Sequence, residues 1–314
     1  MTNTLIYIDY IENYIPEKVI DISELQDYLN LKNYQIKVFK KIHGLKEIRK
    51  EEGSLTKLLS TPILNIFERN SSFRQEIKYI IYCHTIQNVH PFPLDMFKEI
   101  SEICNIHNTI NFSINQQNCA SSLVALEIAD SLLNSTEKND KVLLLMGEKV
   151  FNPIMQLINN TTILGEASTA VILSRNSNKN IKFIKTKTKI LGKYAEGIGI
   201  SQEEQKQFEK NYVPTLSALI IETVNDLDLE LSKISLILPH NVNVSSWKQI
   251  SKSLEFPIQK IYLKNVEKYG HCFCSDPFLN LDCAISDGLL KKGDYFLMVS
   301  VGLGATFAVS LFQF

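Results

Sequence analysis

The sequence has 314 residues, with 33 Lys and Arg against 34 Asp and Glu, which gives a formal net charge of −1. A chain of this length can bury a large core and is long enough for about two domains. Its balanced charge and the lack of a prominent basic run argue against the protein classes that bind nucleic acid through a basic surface.

Cysteine usage and the start of the chain bear on the compartment. The six cysteines are spread from position 83 to position 283 and do not form the short framework of a secreted disulfide-rich domain. Residues 1–4 have neither the basic nor the apolar region of an export signal. We therefore expect reduced thiols and a cytoplasmic location.

The predicted elements alternate between strands and helices in both halves of the chain. In the first half, strands are predicted near 5–11, 77–84, 109–116, 141–147 and 168–174, with a helix after residue 119. In the second, strands are predicted near 182–192, 234–239, 260–266, 295–301 and 305–313, and helices near 213–228, 244–254 and 276–290. This alternation is typical of α/β sheets that contain parallel strands. The polar stretch 174–180 is the natural boundary between the halves.

The last twenty residues, 295–314, are mostly apolar and would be long enough to span a bilayer. However, Gly302 and Gly304 interrupt the run, and β-branched and aromatic residues dominate it. The pattern therefore favours two buried strands joined by a turn, and we expect no membrane partner.

Cys119 is the residue whose setting most strongly indicates chemistry. It lies between the strand-like run at 109–116 and residues 122–133, which carry apolar side chains at helical spacing. A sulfur at a helix N-terminus faces unpaired N–H groups and the positive dipole end, which favour the nucleophilic thiolate. A small buried structural cysteine would fit the segment equally well.

Two histidine segments favour the catalytic interpretation. The first is an apolar run that ends in Pro239-His240-Asn241, and the second is Tyr269-Gly270-His271, where glycine permits a tight turn before the imidazole. A single histidine is commonly structural. Two at predicted strand ends, in a chain with six histidines, favour a site that they share.

Together with these segments, the whole chain resembles a known family, the ketoacyl-ACP synthase III-like condensing enzymes of the thiolase superfamily. The Cys119 segment resembles the family's nucleophile motif, and Pro239–Asn243 is similar to its Pro-His-x-x-Asn motif. Gly165–Ala170 and Gly302–Phe307 resemble its two glycine-containing hairpins. Tyr269–His271 falls where the family usually has Gly-Asn.

The resemblance implies a five-layer αβαβα fold made of two duplicated halves, 1–175 and 181–314. It implies that Cys119 accepts an acyl group from a thioester, and that the backbone N–H groups of Cys119 and Leu303 form the oxyanion hole. His240 and His271 would then activate the second substrate. Around that substrate the resemblance implies a further set: Phe92, Asn243, Phe273, Gly302 and Gly304.

The departures from the family leave three functions open. Decarboxylative Claisen condensation in a specialised fatty acid or polyketide-type pathway is the first, because two imidazoles can still offer N–H donors. His271 in place of asparagine can also act as a general base toward an alcohol or amine, which makes acyl transfer to a heteroatom the second. The third is a noncatalytic subunit of a heterodimer, suggested by the altered segment Cys272–Asp276.

The same resemblance leads to expectations about the acyl donor, the partners and the cofactors. Family members that use coenzyme A commonly clamp its adenine with Trp and Arg, where this chain has Val38 and Ile42, so an acyl carrier protein is the expected donor ahead of an acyl-CoA. The resemblance implies a dimer, formed through the strand at Asn111–Ile114. Cys272, Cys274 and His271 lack ordinary zinc spacing, so neither a metal nor a cofactor is expected.

Overall fold

The computed structural model describes residues 5–85, 95–176 and 181–314. Within these ranges most strands belong to one large mixed sheet, and two short pairs stand apart from it. The strands are β1 (Tyr7–Tyr14), β2 (Lys18–Asp21), β3 (Glu47–Lys50), β4 (Ile77–Cys83), β5 (Ile110–Ile114), β6 (Lys141–Gly147), β7 (Leu157–Ile158), β8 (Thr162–Ile163), β9 (Ser168–Ser174), β10 (Ile181–Ile190), β11 (Ile234–Pro239), β12 (Tyr295–Gly302) and β13 (Thr306–Gln313).

The α-helices range from single turns to one long helix, α7. They are α1 (Asn33–Val38), α2 (Leu55–Arg69), α3 (Phe73–Glu76), α4 (Met96–Cys104), α5 (Ser121–Asn134), α6 (Pro153–Gln156), α7 (Gln202–Asn225), α8 (Val244–Ser253), α9 (Lys264–Tyr269) and α10 (Asp276–Ser286). None of the helices within the described ranges combines the length and hydropathy needed to cross a membrane.

The large sheet repeats one pairing pattern. Its order is β11-β12-β13-β10-β1-β9-β6-β4-β5. In the first half β1, β9 and β6 pair antiparallel, and β6, β4 and β5 pair parallel. In the second half β10, β13 and β12 pair antiparallel, and β11 is parallel to β12. A short contact between β1 and β10 joins the halves. The boundary between residues 175 and 181 stays a prediction, which this repetition supports.

Helices α5 and α10 form the central layer. Small residues such as Ala125 and Ala129 on α5 and Ala284 on α10 are fully buried in one core with strands of both halves. Helices α2 and α4 cover the opposite face of the first half, whereas α7 and α8 cover that of the second half. The predicted five-layer αβαβα fold is confirmed, and Cys119 lies immediately before its central helix α5.

Two predicted elements were wrong in type or extent. The strand expected at 260–266 is reduced to a single bridge between Ile261 and Ile237, because the chain turns into α9 three residues later. The helix expected at 213–228 begins at residue 202, where Ser201 and Glu204 form a capping box that stabilises its polar first turn. The terminal residues 295–314 form the predicted β12–β13 hairpin.

Candidate active site

Cys119 lies in a short 3-10 turn, Asn118–Ala120, that leads into α5. Asn118 has a φ of 48°, a left-handed conformation that asparagine tolerates better than most residues. The Asn118 amide donates to the carbonyl oxygen of Leu303, and the Ser300 hydroxyl donates to the carbonyl oxygen of Cys119 at 2.8 Å. The nucleophile turn and the β12–β13 turn are thus fixed against each other.

Glycine is required at position 302 by this packing. A Cβ atom built there would overlap the carbonyl oxygen of Gln117, two residues before Cys119. Gly304 has a φ of 110°, which side chains rarely adopt. Gly302 and Leu303 line the same cavity as Cys119, and Gly304 completes the turn. The oxyanion-hole role of the Cys119 and Leu303 N–H groups stays a prediction.

His271 joins Cys119 to a buried carboxylate. Its Nε2 atom lies 3.1 Å from Cys119 Sγ, and its Nδ1 atom lies 2.5 Å from Asp276 Oδ2. All three side chains are buried. In this arrangement the carboxylate orients the imidazole, and the imidazole can act as a base toward the nucleophile.

Asp276 is held by four donors. Besides His271 Nδ1, the Asp276 carboxylate accepts from the backbone N–H of Cys272 at 2.8 Å and of Asn241 at 2.6 Å. The Asn241 side-chain amide also donates to it, at 3.1 Å. It lies at the first residue of α10, where the helix dipole favours negative charge. Because Asn241 follows His240, the Asp276 carboxylate connects the loops that carry both histidines.

The pKa values of the two histidines are shifted in opposite directions. Burial alone would lower the pKa of His271, but the negative charges of Cys119 and Asp276 raise it from 6.5 to about 10. Burial, with the nearby charge of His271, lowers the pKa of His240 from 6.5 to about 3. At neutral pH the site therefore holds one imidazolium, His271, and one neutral imidazole, His240.

His240 is positioned by both its backbone and its ring. The His240 N–H donates to the carbonyl oxygen of Val299 at 2.8 Å, and its carbonyl oxygen accepts from Trp247 Nε1 at 3.2 Å. The Tyr212 hydroxyl lies 3.4 Å from Nε2, and the His240 and His271 ring centroids are 5.9 Å apart. The predicted catalytic residues Cys119, His240 and His271 are therefore brought together.

A cavity of about 810 Å³ leads to these three residues. This is within the usual range for small-molecule sites. Asn243, predicted to bind substrate, lines the cavity and caps α8, while its Nδ2 donates to the carbonyl oxygen of Thr161 at 3.1 Å. Aromatic residues of α7, Phe208 and Tyr212, form part of the wall. Among the described residues, the lining includes no lysine or arginine.

Phe273 lies behind His271 rather than in the cavity wall. It is buried with Val150 and Leu164, and its ring centroid is 6.1 Å from that of His271. Its φ of 53° is unusual for an aromatic residue. Phe92, also predicted to bind substrate, lies outside the described residues.

The other cysteines are in environments that suppress reactivity. Burial raises the pKa of Cys104 to about 12 and raises the pKa of Cys272 and Cys274 as well. The Cys272 and Cys274 thiols donate to the carbonyl oxygens of Tyr269 and Asn118. Among the described residues, no group of three or more histidine, cysteine or acidic side chains could hold a metal ion.

Sequence reasoning missed Asp276 and the amides behind it. Asn280 Nδ2 donates to Asn241 Oδ1 at 2.8 Å, and Asn280 Oδ1 accepts from Asn265. The available signal was Asp276 itself, an acidic residue five positions after His271 and directly before a proline, at the start of a predicted helix. The role of Asp276 depends on the turn at Phe273, because this turn directs the carboxylate back to the His271 imidazole.

Two family models match parts of this chain. The model of 3-oxoacyl-[acyl-carrier-protein] synthase III matches residues 112–192, and that of its C-terminal region matches residues 224–314. The beta-ketoacyl-[acyl-carrier-protein] synthase III of Wolbachia pipientis wMel is 25% identical over 317 residues, which cover 96% of this chain and 97% of that protein. The enzyme of the same name from Vesicomyosocius okutanii is 25% identical over 209 residues, or 63% of this chain and 66% of its own length.

Solved structures show the same fold. The 3-oxoacyl-[acyl-carrier-protein] synthase III from Aquifex aeolicus VF5 superposes with a TM-score of 0.80 at 21% identity, covering 98% of this chain and 100% of the other. ChlB3, described as an acyltransferase, superposes with a TM-score of 0.84 at 14% identity, covering 98% and 97%. On the family models and the thiolase fold together, the chain belongs to the ketoacyl-acyl-carrier-protein synthase III-like family of the thiolase superfamily.

Proposed function

We propose that this protein takes an acyl group from a thioester onto Cys119 and passes it to a second substrate. The observation that carries the proposal is the contact of Cys119 Sγ with His271 Nε2 at 3.1 Å. Because an adjacent imidazolium stabilises the thiolate, Cys119 is prepared to attack a thioester carbonyl. The other cysteines lack such a partner among the described residues. The intact site argues against a noncatalytic subunit.

Two second steps remain open. In decarboxylative Claisen condensation, N–H donors on His240 and His271 would stabilise the enolate that forms when the second substrate loses carbon dioxide. In acyl transfer to an alcohol or amine, His271 would accept the proton of the attacking group. The contact between His271 Nδ1 and Asp276 Oδ2 favours the second, because it leaves Nε2 of a neutral His271 as an acceptor.

An acyl carrier protein is the proposed donor, in a specialised fatty acid or polyketide-type pathway. The diphosphate and adenine of coenzyme A call for cationic or aromatic partners at the mouth of a cavity. Among the described residues, neither Val38 nor Ile42 lines the cavity, and no lysine or arginine does. Neutral polar groups in the cavity lining, such as Asn160, Asn243 and Ser246, suit the amides of a pantetheine arm.

We also propose a dimer, either of this chain or with a related chain. Within the part of the chain that the structure describes, β5 is the outermost strand of the large sheet and pairs only with β4. Ile110 on that edge is 52% exposed. Continuing the sheet across a two-fold axis would cover an edge that otherwise invites aggregation.

Intact-mass measurement with matched acyl donors tests the acyl-enzyme. The wild-type protein should gain one acyl group, faster from an acyl carrier protein than from the matching acyl-CoA at equal concentration. Cys119→Ala should remove the adduct, whereas Cys283→Ala, which removes a partly exposed thiol on α10, should retain it. Peptide mapping that places the acyl mass on another cysteine, or no adduct with any donor, would contradict the proposal. Faster loading from the acyl-CoA would contradict the proposed donor but not the acyl-enzyme.

A further inference from the structure

We infer that Asp276 is a positioning residue that fixes His271 in one tautomer, so that the acyl group goes from Cys119 to a hydroxyl or amine and not to a carbon nucleophile. This inference rests on the proposed acyl-enzyme. It identifies the class of acceptor and gives a role to a residue beyond the Cys119, His240 and His271 set.

The hydrogen bonds of Asp276 determine which nitrogen of His271 carries a proton. Both oxygens of the buried Asp276 carboxylate accept hydrogen bonds from N–H donors, so the carboxylate acts as an acceptor. Asp276 Oδ1 accepts from Cys272 N and Asn241 Nδ2, and Oδ2 accepts from Asn241 N and His271 Nδ1. His271 Nδ1 must therefore carry a proton whether the ring is neutral or charged. In the neutral ring, Nε2 then presents a lone pair toward Cys119.

One turnover forms and breaks two bonds at the acyl carbon and returns the site to its starting state. The Cys119 thiolate attacks the donor thioester carbonyl, the carbon–sulfur bond to the donor breaks, and the leaving sulfur takes the Nε2 proton of the His271 imidazolium. His271 is now neutral. An acceptor O–H or N–H attacks the acyl-enzyme carbonyl and gives its proton to Nε2, while the bond from the acyl carbon to Cys119 Sγ breaks. The thiolate and the imidazolium are thereby restored, with no other reactant required.

A carbon acceptor requires different groups from the site than a hydroxyl or an amine does. An enolate formed by decarboxylation needs N–H groups directed at its oxygen. With Nδ1 committed to Asp276, the neutral His271 offers that oxygen a lone pair instead. His240 alone would remain as a donor, and its ring centroid lies 5.9 Å from that of His271 in the cavity that both histidines line. The site is therefore better suited to removing a proton than to holding an enolate.

The test uses acyl-enzyme brought to equal loading in each variant before an acceptor is added. Loss of the adduct is followed by intact mass in water, with ethanolamine as an acceptor that carries both a hydroxyl and an amine, and with malonyl-carrier protein as the carbon acceptor. Water is always present, so the natural acceptor need not be known. In the wild type we expect loss of the adduct to accelerate as the pH rises, because the neutral form of His271 is the base.

Asp276→Asn should have opposite effects on the two acceptor classes. An asparagine amide directed at Nδ1 favours the other neutral tautomer, with the proton on Nε2, and a comparable substitution in a serine protease slows turnover about 10⁴-fold. We expect loss of the adduct to water and ethanolamine to slow by about 10³-fold or more and to lose its pH dependence, while decarboxylation of the malonyl thioester is retained or rises. Asp282→Asn is the matched control, because it makes the same change six residues further along α10 and should leave both rates unchanged.

His271→Asn keeps the test decisive should Asp276→Asn fail to fold. It retains an N–H donor and removes the base, so it should lose transfer to water and ethanolamine and keep decarboxylation. Hydrolysis unchanged by both substitutions, or a wild-type acyl-enzyme consumed faster by malonyl-carrier protein with carbon–carbon bond formation, would overturn the inference. Absence of any adduct on wild-type Cys119 would instead overturn the proposed function beneath it.

Discussion

Acidification should destabilise this protein through His240. Burial and the charge of His271 keep the pKa of the His240 imidazole near 3, against 6.5 for an exposed histidine. Between these two values the unfolded chain binds a proton at this position and the folded chain does not. Stability therefore rises with pH across this window and falls as the pH is lowered through it.

The expected loss can be worked from the difference between the two pKa values. Each pH unit below 6.5 costs about 1.4 kcal/mol while the folded form stays neutral. Lowering the pH to 4.5 should therefore remove about 3 kcal/mol, which is a large part of the roughly 5–15 kcal/mol that stabilises a folded domain. Below pH 3 the contribution should stop growing, because the folded imidazole then takes up a proton as well.

Urea unfolding of the wild type and His240→Asn at several pH values between 7 and 4.5 measures this contribution. Other groups that titrate in this window, including the partly buried His43, are common to both proteins and cancel in the difference. We expect the stability advantage of the wild type over the variant to fall by about 3 kcal/mol across that range. A difference that stays constant to within about 0.5 kcal/mol would show that folding does not lower the pKa of His240 and would refute the reasoning.

Two further predictions concern the acyl side of the site and the assembly. Phe273→Gly should relieve the left-handed backbone but remove the packing of the ring against Val150 and Leu164, so the free energy of unfolding should fall by about 3 kcal/mol. Because Phe273 does not line the cavity, the relative loading of long and short acyl chains should stay unchanged, and a changed ratio in a loading competition would contradict this. Sedimentation should give a dimer at micromolar concentration, and Ile110→Lys on the exposed edge of β5 should weaken it. A stable wild-type monomer would contradict the assembly.

The catalytic candidates could be predicted because each occupies a point where an element begins or ends. Cys119 comes before α5, and His240 follows β11 directly, so a strand and helix pattern brought both to the same edge of the fold. The glycine turn at 302–304 was equally visible, because two glycines interrupted an apolar run. In each case the local sequence determined the local structure.

The remaining features depend on backbone conformations that the sequence does not indicate. Phe273 adopts a φ of 53°, which no propensity assigns to a phenylalanine, and this turn brings Asp276 under His271. The predicted strand at 260–266 failed for a similar reason. Its residues 261–263 form a short apolar run that resembles a strand, but tertiary packing permits one bridge at Ile261 before α9 begins.

The buried charges of the site are best understood as a unit. A carboxylate at position 276 without a cation would carry a large desolvation cost, since removing one partner of a buried ion pair typically costs about 3–5 kcal/mol. A cationic His271 beside Cys119 without Asp276 would have no acceptor for its Nδ1 proton. The donors from Cys272 and Asn241 then satisfy the carboxylate's remaining lone pairs. A histidine at position 271 therefore requires an acid behind it, and the chain supplies that acid at the first residue of its central helix α10, where the helix dipole stabilises it further.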